Sequence, residues 1–393
     1  MGKKKKAVAP RPLTKKQRSR AEREARAVRW IIISAAVVGT LVVAVLVYGY
    51  LSEVVLRARE PVASVSGVPI STADFETRVR YERTLLSMIL SNRRAEQSFL
   101  DPTDPAAASL LQQLNLEIRQ LEEQLSRDNA LTLGEQALEQ MVREEIIRQE
   151  AARLGLAVSP EEVDRAVEEW FGYRPDEQTA GPDLPFAGPV TATQPTTPTD
   201  SAARDDFEQR YQNFITSVLE PSGMDRDTFR AMMEADLLYK KVYAFIVDKA
   251  PTVADQVQIN YIAFQLEEEA AAALERLEAG EDWDDIVAEL QESEAVDAFS
   301  GELGWQTVNT VIEQFGIESA RVVFDTPVGA YTAPLPGLGG WYYVLHVMGH
   351  EEREMDAETL TYEQERVFQE WLNLQRQYVV YSENWREKVP TEP

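Results

Sequence analysis

Past residue 30 the chain runs from Ile31 to Leu51 as IIISAAVVGTLVVAVLVYGYL, with no charged position. About 20 apolar residues at about 1.5 Å rise match a bilayer core of roughly 30 Å. In hydrocarbon the backbone must satisfy itself, so the pattern predicts a helix. Trp30, Tyr48 and Tyr50 lie near its ends, where amphipathic rings favour an interface. A cleaved signal has a shorter apolar region of about 7–15 residues. The expectation is therefore one transmembrane helix over residues 30–52.

Beyond Pro61 the periodicity changes. Val62 to Val65 reads as a short strand and Gly67 to Pro69 as a turn. Ser71 with Asp74 makes an S-x-x-D helix start, and Phe75, Val79 and Leu86 follow at helical spacing. From Ala106 to Arg127, Leu111, Leu114, Ile118, Leu121 and Leu125 alternate steps of three and four, which predicts a packed helical arm. Gln136 to Leu154 is a third helix closed by Gly155. Ser159-Pro160-Glu161-Glu162 opens a fourth with a capping box and proline at the first helical position. Residues 176–200 hold proline, threonine and glycine without a period, the composition of a disordered insertion. Helices resume over Asp205–Leu219 and Asp225–Val247.

After Pro251 the texture is mixed. Val257 to Phe264 alternates like a strand, Glu267–Ala279 and Asp282–Leu290 are helical, and turns are expected around Gly301, Gly304 and Gly329. Tyr342 to Val347 is a β-rich strand. Residues 252–350 thus form an α+β domain of ordinary size. Glu363 to Lys388 reads as a closing helix, within a C-terminal segment 356–390 expected to pack on the helical lobe of residues 61–250. Met141, Phe229, Met232, Met233, Tyr239, Tyr243 and Trp371 are core candidates, and flexible methionines and flat aromatics also suit a client groove.

Charge sharpens this picture. Residues 1–29 carry six Lys and six Arg against Glu22 and Glu24, a net of +10. Of the chain's 40 basic and 66 acidic residues, the remaining 28 and 64 leave −36. Basic residues beside a span stay cytoplasmic, so the tail is expected inside and the bulk outside. Next to a membrane span the basic tail reads as a topology signal with affinity for anionic lipid, not as a nucleic-acid arm. There is no cysteine, which excludes disulfides, thiolate nucleophiles and cysteine metal sites. The only histidines, His346 and His350, have no partner motif for a metal. The glutamate run at 267–269 and Glu281-Asp282 read as solvated faces. HExxH, GxSxG and P-loop patterns are absent.

Two stretches carry a family resemblance. VASVSGVPISTADFETRVR and ALEQMVREEIIRQEAARLGLAVSPEEVDRAVEE resemble the N-terminal domain of the SurA, PpiD and PrsA chaperone families. Residues 252–350 resemble a parvulin-type (PpiC) peptidyl-prolyl isomerase domain in order of elements, through AGEDWDDIVAEL, SGELGW, FDTPVGAYTAPL and GWYYVLHV. After the expected single transmembrane helix, the resemblance implies a mainly α-helical SurA-like lobe and a small α+β parvulin-like domain. No metal or cofactor is implied. Parvulins act on X-Pro bonds, whose uncatalysed isomerisation takes tens of seconds or more.

Carried over by residue, the two family histidines fall on Tyr261 and Tyr343, and the cysteine or aspartate on Glu294. The pocket leucine is Leu303, the methionine position falls near Phe315 and the proline-stacking phenylalanine near Ser319. Phe324 keeps the phenylalanine before the Pro-x-Gly turn. Tyrosine at both histidine positions stays neutral and donates one hydrogen bond. The expected function is a membrane-tethered, extracytoplasmic chaperone or foldase for unfolded secreted or membrane proteins, its parvulin-like domain weak or inactive in catalysis. Two alternatives stand beside it: an active isomerase using Tyr261, Glu294 and Tyr343, and a non-enzymatic membrane scaffold.

Overall fold

The computed structural model describes residues 38–45, 48, 57–174, 200–292 and 298–391. The insertion expected over 176–200 falls, but for its last residue, outside them. The expected transmembrane helix is not borne out. Among the described residues no helix is long and apolar enough to cross a membrane. Of the run Ile31–Leu51 only residues 38–45 and 48 are described, and eight helical residues span about 12 Å, well short of a bilayer core.

The described chain is helical with two small sheets, and it divides into two compact units. The first comprises residues 1–143, 167–230 and 379–393; the second comprises 144–166 and 231–378.

In the first unit, β1 (Pro61–Val65) and β2 (Val68–Ser71) form a hairpin. Its turn places Ser66 and Gly67 at positive φ, the twist that a two-residue hairpin loop demands. Ser71 then caps α1 (Thr72–Ser98), its hydroxyl accepting from the Asp74 N–H and donating to the Asp74 carboxylate, as the S-x-x-D pattern predicts. Helix α2 (Ala108–Leu125) lies against α1, tied by Arg94–Glu122, Arg93–Glu117 and Gln97–Asn115. Of its leucine stripe only Leu114 and Ile118 are fully buried, so the arm packs on one narrow seam. Aromatic side chains fill the middle of the unit: Phe214 meets Trp170, Phe171 and Phe229 at centroid distances of 5.0, 5.3 and 5.1 Å, with Tyr81 at 6.4 Å. The closing strand β7 (Val379–Tyr381) pairs antiparallel with β1, giving the order β2-β1-β7.

The helices α3 (Ala130–Leu154), α4 (Pro160–Trp170), α5 (Asp200–Phe214) and α6 (Arg226–Val247) complete the helical part. At the start of α4 the capping box is formed reciprocally. Ser159 N–H donates to Glu162 at 2.8 Å, and Glu162 N–H donates to the Ser159 hydroxyl at 3.2 Å.

The second unit contains a four-stranded antiparallel sheet of order β4-β3-β6-β5. Strand β3 (Val253–Phe264) pairs along its whole length with β6 (Tyr342–Glu354). Between them lie α7 (Glu267–Glu278), α8 (Trp283–Glu292), β4 (Ala298–Thr307), α9 (Val308–Phe315), α10 (Ile317–Asp325) and β5 (Leu335–Pro336). Side chains alternate between the faces with the strand period of two. Val257, Ile259 and Leu345 pack with Val311, Ala320 and Val323 of α9 and α10. Ile262, Phe264 and Val344 pack with Ala270, Leu277 and Ile286 of α7 and α8 on the other face.

Two local expectations need correction, and one stretch had none. Gly301 and Gly304 lie inside strand β4, not in turns. The chain after β4 forms two short helices, α9 and α10. The closing helix α11 (Ala357–Arg376) ends well before Lys388, and the remainder provides β7 and a 3-10 turn at Trp385–Lys388. Within the second unit, Phe368 of α11 packs on Tyr239 and Tyr243 of α6, at 5.2 and 5.0 Å.

Candidate aromatic peptide-binding site

Tyr261 on β3 and Tyr343 on β6 sit diagonally, because Tyr261 pairs with Leu345 and Ala263 with Tyr343. Diagonal neighbours on one face are within reach of aromatic side chains, and the two rings stand 5.8 Å apart. Leu303 and Phe299 join from β4, and Phe315 comes from the last turn of α9. With Gln314 these residues line a cavity of about 170 Å³. Small-molecule pockets run to roughly 300–1,000 Å³, so this one is sized for a single side chain. Phe315 meets Tyr343 edge-on at 5.1 Å, and Phe299 meets Tyr261 edge-on at 5.8 Å. Phe299 remains 40% exposed, which leaves an aromatic edge at the mouth.

Two glycines make the arrangement fit. A Cβ on Gly301 would lie 2.8 Å from Tyr261 Cε1, and one on Gly337 would lie 2.5 Å from Tyr343 Cε2. Each glycine lets the backbone run directly against a tyrosine ring. Gly337→Ala is therefore expected to push Tyr343 off its seat and to crowd Phe315, whose Cδ1 would lie 3.3 Å from the added methyl. The expected cost is about 1–3 kcal/mol of stability, the range for inserting a methyl into a packed site. Urea unfolding measures it, and an unchanged midpoint would contradict the packing described.

The polar groups at the cavity are the tyrosine hydroxyls and the Gln314 amide. Burial, with Tyr261 beside it, raises the Tyr343 phenol above its usual range. That hydroxyl stays neutral at ordinary pH, so it can donate a hydrogen bond but cannot serve as a base. Among the described residues no carboxylate and no imidazole lines the cavity.

The structure thus brings together four of the residues singled out from sequence: Tyr261, Leu303, Phe315 and Tyr343. Glu294 falls outside the described residues. Phe324 does not line the cavity; it packs edge-on against His350 at 5.5 Å and faces a separate recess with Thr307, Asn309 and Glu363. Ser319 is buried in α10. His350 is hydrogen-bonded to Asp255, and His346 lies on the opposite face of the sheet, against Trp283 and Tyr331. No group of three or more metal-ligating side chains occurs among the described residues. Sequence reading missed Phe299, Gln314 and the two glycines. The first was accessible, since 299, 301 and 303 share one face of a strand once that strand is recognised.

Comparison with known proteins adds a domain match. Residues 107–187 match the model of the SurA-like N-terminal domain. The match includes the ALEQMVREEII stretch and covers 81 of the chain's 393 residues. No curated protein matches the chain. Among solved structures, the peptidylprolyl isomerase PrsA of Bacillus anthracis is 14% identical, covering 64% of this chain and 93% of its own at a TM-score of 0.31. PrsA of Bacillus cereus is 16% identical, covering 63% and 81%, at 0.35. A SurA-like chaperone of Campylobacter jejuni is 12% identical, covering 82% and 99%, at 0.24.

Proposed function

We propose that this protein is a chaperone or foldase that holds unfolded polypeptide, and that the Tyr261–Tyr343 cavity seats one apolar or proline side chain of the client. The observation that carries this reading is the cavity itself. A purely structural replacement of two family histidines by tyrosine would be served by a filled core, whereas here an aromatic recess stays open between β3, β4 and α9. The SurA-like domain match supports the chaperone part of the reading.

The chemistry argues for binding over catalysis. General acid–base work needs a group that titrates near the operating pH, and the described lining offers phenols and an amide. A neutral tyrosine could still donate to a twisted amide, so residual isomerisation is expected to be slight. We place the activity outside the cytoplasm on charge asymmetry: residues 1–29 carry a net +10 and the remainder a net −36, and lysine and arginine are the residues retained on the cytoplasmic side. Cell fractionation that recovers the chain with cytoplasmic proteins would overturn that placement.

Two measurements on the full chain test the function. In an aggregation assay, protection of several unrelated unfolded proteins is expected near equimolar ratio. Absence of protection for all of them would remove the chaperone reading. In a proline-limited refolding assay, the rate is expected to stay within about twofold of the uncatalysed one. A large acceleration, lost on Tyr343→Phe, would replace binding by catalysis.

A further inference from the structure

The sheet of the second unit has another opening, on the face away from Tyr261 and Tyr343. It is a cavity of about 380 Å³, lined by Asn260, Trp283, Tyr331, His346, Met348 and the loop carboxylates that lead into α8. Trp283 and Tyr331 lie parallel within 3°, with centroids 5.9 Å apart. His346 leans on both, at 5.3 and 4.6 Å. Trp283 and Tyr331 are stacked and His346 is tilted by 41° and 44° against them, so the three rings hold one another in a fixed aromatic cluster, and Met348 is exposed beside it.

The charge at this cavity has one sign. Glu281 is already held by Arg276, which also takes Glu289. Asp282 uses one oxygen to accept from the Asp284 N–H at 2.9 Å, which accounts for its place at the start of α8 and leaves its other oxygen free. No cation among the described residues pairs with Asp282 or Asp284. Burial also pushes the His346 imidazole below its usual pKa, although a backbone hydrogen bond with Gly329 works the other way. The cluster therefore brings no positive charge of its own at neutral pH.

An aromatic cluster edged by two carboxylates without a cation partner among the described residues is complementary to a planar cation. Guanidinium stacks on indole and phenol faces, and it donates in a fork that matches carboxylate oxygens. We propose that this cavity seats an arginine side chain of a bound polypeptide, packed against the Trp283–Tyr331 ring pair and held by Asp282 and Asp284. The second unit then has two contacts on opposite faces of one sheet, one apolar and one selective for positive charge. The inference rests on the proposed function only in taking its ligand to be a polypeptide.

The test uses the full chain and two alanine–serine peptides labelled with a neutral dye. One has arginine at three spaced positions, and the other has citrulline, which keeps the shape and removes the charge. Fluorescence anisotropy is expected to show the arginine peptide binding on the order of tenfold tighter. Asp282→Asn with Asp284→Asn should bring it down to the citrulline level with an unchanged circular dichroism spectrum, since asparagine caps a helix as well as aspartate does. Removing two charges elsewhere, as Glu267→Gln with Glu268→Gln, should leave the preference intact. Equal binding of the two peptides, no binding of either, or equal losses in both double variants would overturn the proposal. A third peptide, with Pro-Phe and no charge, reports the Tyr261–Tyr343 cavity through its sensitivity to Gly337→Ala. Loss of that sensitivity with arginine selectivity retained would reject the proposed apolar seat and leave this site standing.

Discussion

Trp385→Ala is expected to lower the stability of the first unit by about 3–5 kcal/mol, the range for deleting a buried tryptophan. Trp385 is 6% exposed and stands edge-on to Phe75, which is fully buried, at 6.2 Å. The indole is one of several fasteners that join the end of the chain to its first strand. Strand β7 adds to β1 through Ala63–Tyr381 and Val65–Val379, and Ser382 N–H donates to the Val62 carbonyl at 2.9 Å. Lys388, almost fully buried, meets Glu60 at 2.9 Å. The isopropyl group of Val389 occupies the space a Cβ on Gly134 would need, at 2.7 Å. Loss of Trp385 removes the apolar centre of this set, so the remaining contacts lose their common anchor. The measurement is urea unfolding together with hydrogen exchange at the amides of Val62 and Ser64. Their protection is expected to fall in step with the global loss. Val380→Ala, at an exposed position on the same strand, should change stability by less than about 0.5 kcal/mol. A Trp385→Ala loss as small as that would show that β7 and the segment after it do not hold β1.

This junction also marks what the sequence made legible and what it did not. The starts of α1 and α4 could be read because their signals are local: Ser71 with Asp74 and Ser159 with Glu162 satisfy backbone donors within one turn. Strand β3 was legible from alternation alone. Strand β7 was not, since three residues carry too short a pattern, and its partner is remote; Lys388 and Glu60 are 328 residues apart. The glycines of β4 were misread as turn residues because glycine is the usual choice for turns. Gly301 is instead needed because the Tyr261 ring occupies the space of its side chain. The cavity was half legible. Tyr261 and Tyr343 follow from strand positions, and Phe315 reaches the cavity wall because α9 ends there. Phe324 was misplaced because α10 turns it towards His350 and away from the tyrosines. The apolar run Ile31–Leu51 shows the opposite case: a strong one-dimensional pattern for which the described residues provide no spanning helix.

Glu363→Gln is expected to cost about 2 kcal/mol at neutral pH, and to remove an acid sensitivity that the native chain should show. Glu363 on α11 is nearly fully buried and accepts from donors only. The Thr307 hydroxyl donates at 2.7 Å, the Asn309 amide at 3.0 and 3.1 Å, and Arg366 Nε at 2.9 Å. A glutamine would turn an NH2 group towards some of these donors and leave others unmatched. Burial alone would raise the Glu363 pKa, but the bonds from Thr307, Arg366 and Asn309 outweigh it, so the carboxyl sits below its ordinary 4.5. The sign follows from linkage. With the folded value depressed, the stabilisation is complete above about pH 4.5 and is lost as pH falls from there through the folded value. The gap between native and variant stability, followed by urea unfolding, should therefore close across that acid window. A gap that persists unchanged at pH 3 would mean the ionised carboxylate is not what is missed. The consequence reaches the apolar site. Thr307 also caps α9, accepting from the Thr310 N–H at 3.3 Å, and α9 ends at Phe315 in the cavity wall. Losing Glu363 unties the start of that helix, so affinity for an uncharged Pro-Phe peptide should fall with stability in Glu363→Gln. Under the arginine-seat proposal, affinity for the arginine peptide on the opposite face should hold.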